Sequence, residues 1–212
     1  MSSDYTAPEW PRAALVVVDV QLDFLDGGTC PIPGTTEALP RIADTVAAFR
    51  STGRPIVHVV RLYVPGGSDV DLPRRAAVEG GAIMAAPGTT GAQIPQELLA
   101  HPVELDADLL LAGLPQVLDD NEVIVFKPRW SAFHRTPLES WLRERDVTTV
   151  VVAGCNLPNC PRASLFDASE RDFRTVLVTD AVSGATPERL EDLRGIGVNL
   201  LESRQVDAAL RP

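Results

Sequence analysis

Ala13-Ala14-Leu15-Val16-Val17-Val18-Asp19 is six apolar residues without a polar break, ended by an acid. A strand with one solvated face alternates polar and apolar residues, whereas a strand buried on both faces does not. The run therefore predicts an inner strand of a parallel sheet, with Asp19 at its carboxyl end. Ile56 to Val60, Val123 to Phe126, Val147 to Ala153 and Thr175 to Val178 have the same character, and Val198 to Leu201 is a weaker sixth. Helical patterns lie between them. Thr36 to Ser51 carries Leu39, Ile42, Val46 and Phe49 at helical spacing and stops at Gly53. Thr136-Pro137 predicts a second helix with Pro137 at its first position, Arg162 to Arg171 a third and Pro187 to Leu193 a fourth. Strands alternating with helices give βαβ units with right-handed crossovers, hence an α/β fold.

The chain has 212 residues, 45% hydrophobic and 23% charged. That length and composition predict one globular domain spanning residues 1–212. Residues 63–118 interrupt the alternation. This excursion is rich in Pro and Gly and too long for a plain connection, so it reads as a lid, an oligomer contact or a surface elaboration. No apolar run approaches the roughly 20 residues that span a bilayer. Met1 to Trp10 does not read as a signal peptide, which makes the cytoplasm the expected location. The net charge of −10 disfavours nucleic acid and anionic membrane as partners. Cys30, Cys155 and Cys160 are too few and odd in number for a disulfide framework.

Ligands in such sheets bind beyond the carboxyl ends of the strands. Asp19, Lys127 and the stretch from Gly154 to Cys160 all follow apolar strands. Cys160 is the candidate nucleophile, since a thiol at a helix start feels the positive dipole end, which lowers its pKa. The alternative is a buried packing cysteine, the commonest state of a free thiol. The turn from Gly154 to Asn159 would set backbone N–H groups beside Cys160 to hold an oxyanion. Asp19 reads as the base for the thiol or as a cap on the following turn. Asp23 and Asp26 read as solvated or capping, Cys155 as core, and Cys30 carries no assigned role. Lys127 is the only lysine among 19 basic residues. A compact ammonium fits a cramped site that a planar guanidinium does not; the alternative is a chance surface lysine. No G-x-G-x-x-G follows Asp19, and His58, His101 and His134 are scattered, so dinucleotide and zinc binding are disfavoured. His58 lies inside an apolar run and reads as a hydrogen-bonded core histidine.

Together these residues resemble the isochorismatase-like cysteine hydrolases. Asp19-Val20-Gln21-Leu22-Asp23-Phe24 is similar to their D-x-Q-x-D-F start. Lys127 with Ser131-Ala132-Phe133 and Thr136-Pro137-Leu138 resembles their lysine segment, Gly154 with Cys160 and Asp167-Ala168 their nucleophile segment, and Asp180-Ala181 the pair after their fifth strand. The resemblance implies a three-layer α/β/α fold with a six-stranded parallel sheet in the Rossmann-like order 3-2-1-4-5-6, usually in homo-oligomers. It implies a catalytic triad of Asp19, Lys127 and Cys160, a cis peptide at Cys155-Asn156, and an oxyanion hole from the amides of Asn156 and Cys160. The segment Cys155-Asn156-Leu157-Pro158-Asn159 departs from the family's usual residues, as does Pro161 after the cysteine. Nicotinamidases of the family carry metal-binding histidines after the second strand; here that stretch is Arg61-Leu62-Tyr63-Val64, so no metal and no other cofactor is expected.

The expected function is therefore a metal-independent cysteine hydrolase that cleaves a small-molecule C–N amide or ureide bond through a thioester. Phe24, Trp130 and Phe133 are expected to line its pocket. The alternatives are vinyl ether hydrolysis, which in the family relies on the acid and the lysine without a nucleophilic thiol, and a non-catalytic scaffold of the same fold.

Overall fold

The computed structural model describes residues 4–67 and 69–211. Seven strands and seven α-helices follow one another as β1 (Ala13–Val18), α1 (Thr35–Ser51), β2 (Ile56–Val60), α2 (Leu72–Glu79), α3 (Ala107–Leu111), β3 (Gln116–Asp119), β4 (Glu122–Phe126), α4 (Leu138–Arg143), β5 (Thr149–Gly154), α5 (Cys160–Ser169), β6 (Arg174–Val182), α6 (Pro187–Gly195), β7 (Asn199–Leu201) and α7 (Ser203–Leu210). The sheet order is β3-β4-β2-β1-β5-β6-β7. All neighbours are parallel except β3 and β4.

The inner strands bury both faces, as their unbroken apolar runs require. Ala13, Leu15 and Val17 of β1 pack with Ile42, Val46 and Phe49 of α1 and Val206 of α7. Ala14, Val16 and Val18 pack on the opposite face with Leu138, Trp141 and Leu142 of α4 and Leu165 of α5. The result is a three-layer α/β/α domain. Burying each such Val, Leu or Ile fully stabilises the fold by about 1.5–3 kcal/mol before chain entropy is counted.

The sheet has seven strands where six were expected. The added one is β3, an antiparallel edge strand joined to β4 through Asp120 and Asn121. Its residues alternate between half-buried and exposed, and Val117 is exposed. That is the pattern of a one-sided edge strand rather than the continuous runs that mark the interior. Without β3, the remaining six strands keep the expected order. Local boundaries also differ. Pro137 caps α4 from outside the helix, and α5 begins at Cys160 itself. The excursion, residues 63–118, is ordered as α2, α3, two 3-10 turns and β3. No described helix is long and apolar enough to cross a membrane.

Candidate active site

The four inner strands β1, β2, β4 and β5 end level with one another, because Val18 pairs with both Val59 and Gly154 while Val60 pairs with Phe126. The next residues along each strand are Asp19, Arg61 and Lys127, and after a short turn Cys160. Asp19 has φ +53°, a left-handed turn that ends β1 at once. Gly154 has φ +117°, and a Cβ there would lie 2.2 Å from the Val18 carbonyl oxygen. Only glycine lets β5 run this close to β1 and still turn into the Cys160 loop.

Lys127 is fully buried, and its Nζ donates to Asp19 Oδ2 at 2.8 Å and to the Arg129 carbonyl at 3.1 Å. Asp19 Oδ1 is buried with no hydrogen-bond partner among the described residues. A narrow cleft opens at this point, walled by Asp19, Phe24, Arg61, Arg74, Asn156 and Cys160 among others. The structure thus brings Asp19, Lys127 and Cys160 to one edge of the sheet. The Cys155-Asn156 peptide is cis. The main-chain N–H groups of Asn156 and Cys160 have no backbone acceptor among the described residues outside regular elements. Phe24 is part of the cleft wall. Trp130 is partly exposed and Phe133 packs on Phe173, with ring centroids 5.9 Å apart; neither lines the cleft.

The thiol's electrostatics differ from the sequence expectation. Burial, then the charge of Asp19, holds Cys160 above the ordinary thiol range, against the opposing pull of Lys127 and Arg61. Desolvation and a carboxylate at close quarters outweigh the helix dipole. Asp19 is the carboxylate that shares the cleft wall with this thiol. Cys155 is also pushed up, chiefly by burial, and its Sγ donates to the Asp19 carbonyl at 3.4 Å. It belongs to the core.

Sequence reading missed Arg61 and Asp71. Arg61 is buried at the end of β2. Its Nη1 donates to Asp71 Oδ1 at 3.0 Å, its Nε lies 4.0 Å from Asp19 Oδ2, and its Nη2 lies 4.0 Å from Cys160 Sγ. Asp71 also accepts from the Tyr63 hydroxyl at 3.0 Å and from Arg74 at 3.4 Å. Burial raises the Asp71 carboxyl, but Arg61, Tyr63 and Arg74 together bring it below its ordinary value. The available signal was an arginine directly after an apolar strand at the edge that already held the acid and the lysine.

Gln21 and Asp23 tie the excursion to β1. The Gln21 amide donates to the carbonyls of Arg61 and Ala92 at 2.8 and 2.7 Å, and its oxygen accepts from Arg61 N–H at 2.8 Å. Asp23, expected to be solvated or capping, is buried and accepts from the N–H groups of Ala85 and Thr29 at 2.6 and 3.2 Å. One short motif thus supplies the cleft's carboxylate, a clamp on the arginine strand, a clamp on the excursion, and a wall aromatic.

A metal does not fit beside this site. Among the described residues no three His, Cys, Asp or Glu side chains gather to hold one. After β2, the Asp71 carboxylate is taken up by two guanidiniums and a phenol, and a cation there would meet Arg61 and Arg74.

Comparison with known proteins gives a consistent picture. Residues 13–194 match the family model described as the isochorismatase domain. A probable inactive nicotinamidase of Arabidopsis thaliana is 32% identical over 91% of this chain and 93% of its own length. A ureidoacrylate amidohydrolase RutB of Methylobacterium radiotolerans is 32% identical over 83% of this chain and 69% of its own. A crystal structure of an isochorismatase family protein from Desulfovibrio vulgaris superposes with a TM-score of 0.79 at 31% identity, covering 95% of this chain and 99% of that one.

Proposed function

Since the chain belongs to the isochorismatase family, we propose that it hydrolyses a C–N amide or ureide bond of a small molecule through Cys160, without a metal. Asp19 Oδ1 carries this reading. It is a buried carboxylate oxygen without a hydrogen-bond partner among the described residues, in the cleft wall it shares with Cys160. Lys127 occupies the other oxygen, which leaves Oδ1 to accept a proton.

The steps balance with this chain's own groups. Asp19 takes the Cys160 proton as Sγ attacks the substrate carbonyl carbon. The carbonyl oxygen becomes an oxyanion held by the amides of Asn156 and Cys160. As the tetrahedral intermediate collapses, the C–N bond breaks and the amine leaves with the proton from Asp19. Water, deprotonated by Asp19, then attacks the thioester and frees the acid and the thiol. Lys127 holds the base in place throughout and offsets the negative charge that moves between Asp19 and sulfur.

The test is ammonia release from a panel of small amides and ureides. Cys160→Ala is expected to abolish turnover and Cys155→Ala to keep most of it, with thermal melts confirming both folds. A Cys160→Ala that still released ammonia would refute the thiol nucleophile, whereas no ammonia from the unaltered protein, together with hydrolysis of a vinyl ether that survives Cys160→Ala, would support vinyl ether hydrolysis by Asp19 and Lys127, which needs no thiol. A chain inert to the panel, with a Cys160 no more reactive than any buried thiol, would support the non-catalytic scaffold.

A further inference from the structure

Two buried cations stand at the strand ends beside Asp19 and Cys160, and their bonds run differently. The ammonium of Lys127 donates to Asp19 Oδ2 and to the Arg129 carbonyl, at 2.8 and 3.1 Å, and pulls on the Cys160 sulfur only through space. Arg61 is the cation that reaches the thiol, its Nη2 donating to Cys160 Sγ over 4.0 Å. The other titratable groups of the cleft wall are turned elsewhere. Tyr63 and Arg74 bond to Asp71, and Cys155 to the Asp19 carbonyl.

Arg61 is held in this place from both ends. Gln21 bonds its main-chain N–H and its carbonyl, each at 2.8 Å. Asp71 Oδ1 holds Nη1 at 3.0 Å and is itself fixed by the Tyr63 hydroxyl. The planar fork thus serves three directions at once: Nη1 to Asp71, Nε toward Asp19 Oδ2 at 4.0 Å, and Nη2 to sulfur. An ammonium has no such edges. The third direction has no account in stability. A neutral thiol is a weak acceptor, and a buried donor aimed at one gains little. A thiolate is a strong acceptor. The N–H is therefore set for a charge that the resting thiol lacks, as a preorganised catalytic donor is.

We propose that Arg61 is a catalytic residue that receives the negative charge of Cys160, first when the sulfur gives up its proton to attack, and again when the thioester breaks and the sulfur leaves. The second event rests on the hydrolase reading above; the first does not. In the first, the S–H bond breaks, the proton goes to Asp19 Oδ1, and the electron pair left on sulfur faces Arg61 before it forms the S–C bond. In the last, the S–C bond breaks, the pair returns to sulfur beside Arg61, and the proton on Asp19 restores the thiol. Arg61 keeps its own protons throughout. A charge-assisted bond is about twice as strong as a neutral one, so Arg61 binds the charged sulfur more tightly than the resting thiol.

The experiment measures the rate of Cys160 alkylation by iodoacetamide against pH at fixed ionic strength. Arg61→Gln removes a cation that favours the thiolate, so the midpoint should rise, by at least about one pH unit, which is a tenfold loss of thiolate below it. Arg61→Lys keeps the charge but cannot reach Asp71 and sulfur together, and its midpoint should fall between. An unmoved or lowered midpoint in a folded Arg61→Gln would overturn the proposal. So would an unmoved midpoint in Arg61→Lys, because charge alone would then suffice. If neither variant folds, nitrogen NMR of the unaltered protein decides. A guanidinium resonance should follow the alkylation midpoint and cease to do so in Cys160→Ala; the lack of any such resonance would overturn the proposal. Ammonia release from the panel is followed in parallel. A raised midpoint in Arg61→Gln with no amide turned over by the unaltered protein would sink the hydrolase reading and leave the thiolate contact standing. Turnover by the unaltered protein with an unmoved midpoint in the variant would do the reverse.

Discussion

Replacing Lys127 by arginine keeps the charge and changes only its shape, which makes it a sharp test of the site's geometry. The side chain is fully buried, and its single ammonium serves two acceptors at 2.8 and 3.1 Å. A guanidinium is broader and longer, and overfilling a packed interior costs about 1–3 kcal/mol. It would also pair bidentately with Asp19 and occupy Oδ1, the oxygen the mechanism needs free. Arg61 already brings one guanidinium to within 4.0 Å of Asp19 Oδ2, so a second has no room to turn aside. We expect kcat to fall at least about a hundredfold, or about 2.7 kcal/mol of barrier at roughly 1.36 kcal/mol per tenfold. Lys127→Ala should be no better, because it leaves Asp19 buried without its principal partner. The assay is kcat on any amide from the panel for both variants, with thermal melts to separate misfolding from lost chemistry. A folded Lys127→Arg enzyme within about threefold of the unaltered protein would refute the reasoning. It would mean that Lys127 supplies charge alone.

Three further predictions concern the charges of the fold. Prolonged chelation should leave turnover unchanged, since the ligand position after β2 is filled by Arg61 and its partners; activity lost and then restored by zinc or iron would refute this. Asp19→Asn should move the pH midpoint of Cys160 alkylation downward, because it removes a negative charge that holds the thiol up and leaves Lys127 and Arg61 unopposed; a midpoint that stays or rises would show that Asp19 does not act on the sulfur. Glu122, bonded to His58 at 2.7 Å and to Arg50 at 2.7 and 2.9 Å, is raised by burial but brought by these partners to about 2 from an ordinary 4.5. Its contribution to stability is then complete above about pH 4.5 and is lost as pH falls toward 2, so Glu122→Gln should flatten that part of the acid unfolding curve in urea titrations; an unchanged acid limb would contradict the pairing.

The sheet was legible because burial on both faces leaves a mark in the sequence. Val16-Val17-Val18 and Val150-Val151-Val152 are continuous because no position on those strands meets water, and the structure places them side by side at the centre. β3 escaped the same reading for the same physical reason. Gln116–Asp119 is an edge strand with one wet side, so its composition does not differ from that of a loop. Helix ends were blurred by proline, whose missing N–H suits either the cap or the first turn.

The site divided along a different line. Asp19, Lys127 and Cys160 could be found because each is a chemically distinctive residue at the end of a strand-like run, so position and chemistry pointed the same way. Arg61 occupies an equivalent position but was hidden by composition, since an arginine in a chain rich in arginine draws no notice. Asp71 and Arg74 were hidden by topology: no local pattern says that an irregular Pro/Gly-rich segment folds back over the strand ends, because the bonds that bring it there are long-range, from Gln21 to Ala92 and from Asp23 to Ala85. Those bonds run from the same short motif that carries Asp19. The acid that does the proposed chemistry and the clamps that set the cleft's charged wall over it therefore share five residues of chain. Asp23→Ala should therefore free the Ala85 N–H, read as faster hydrogen exchange at that amide, and an unchanged exchange rate would refute the clamp.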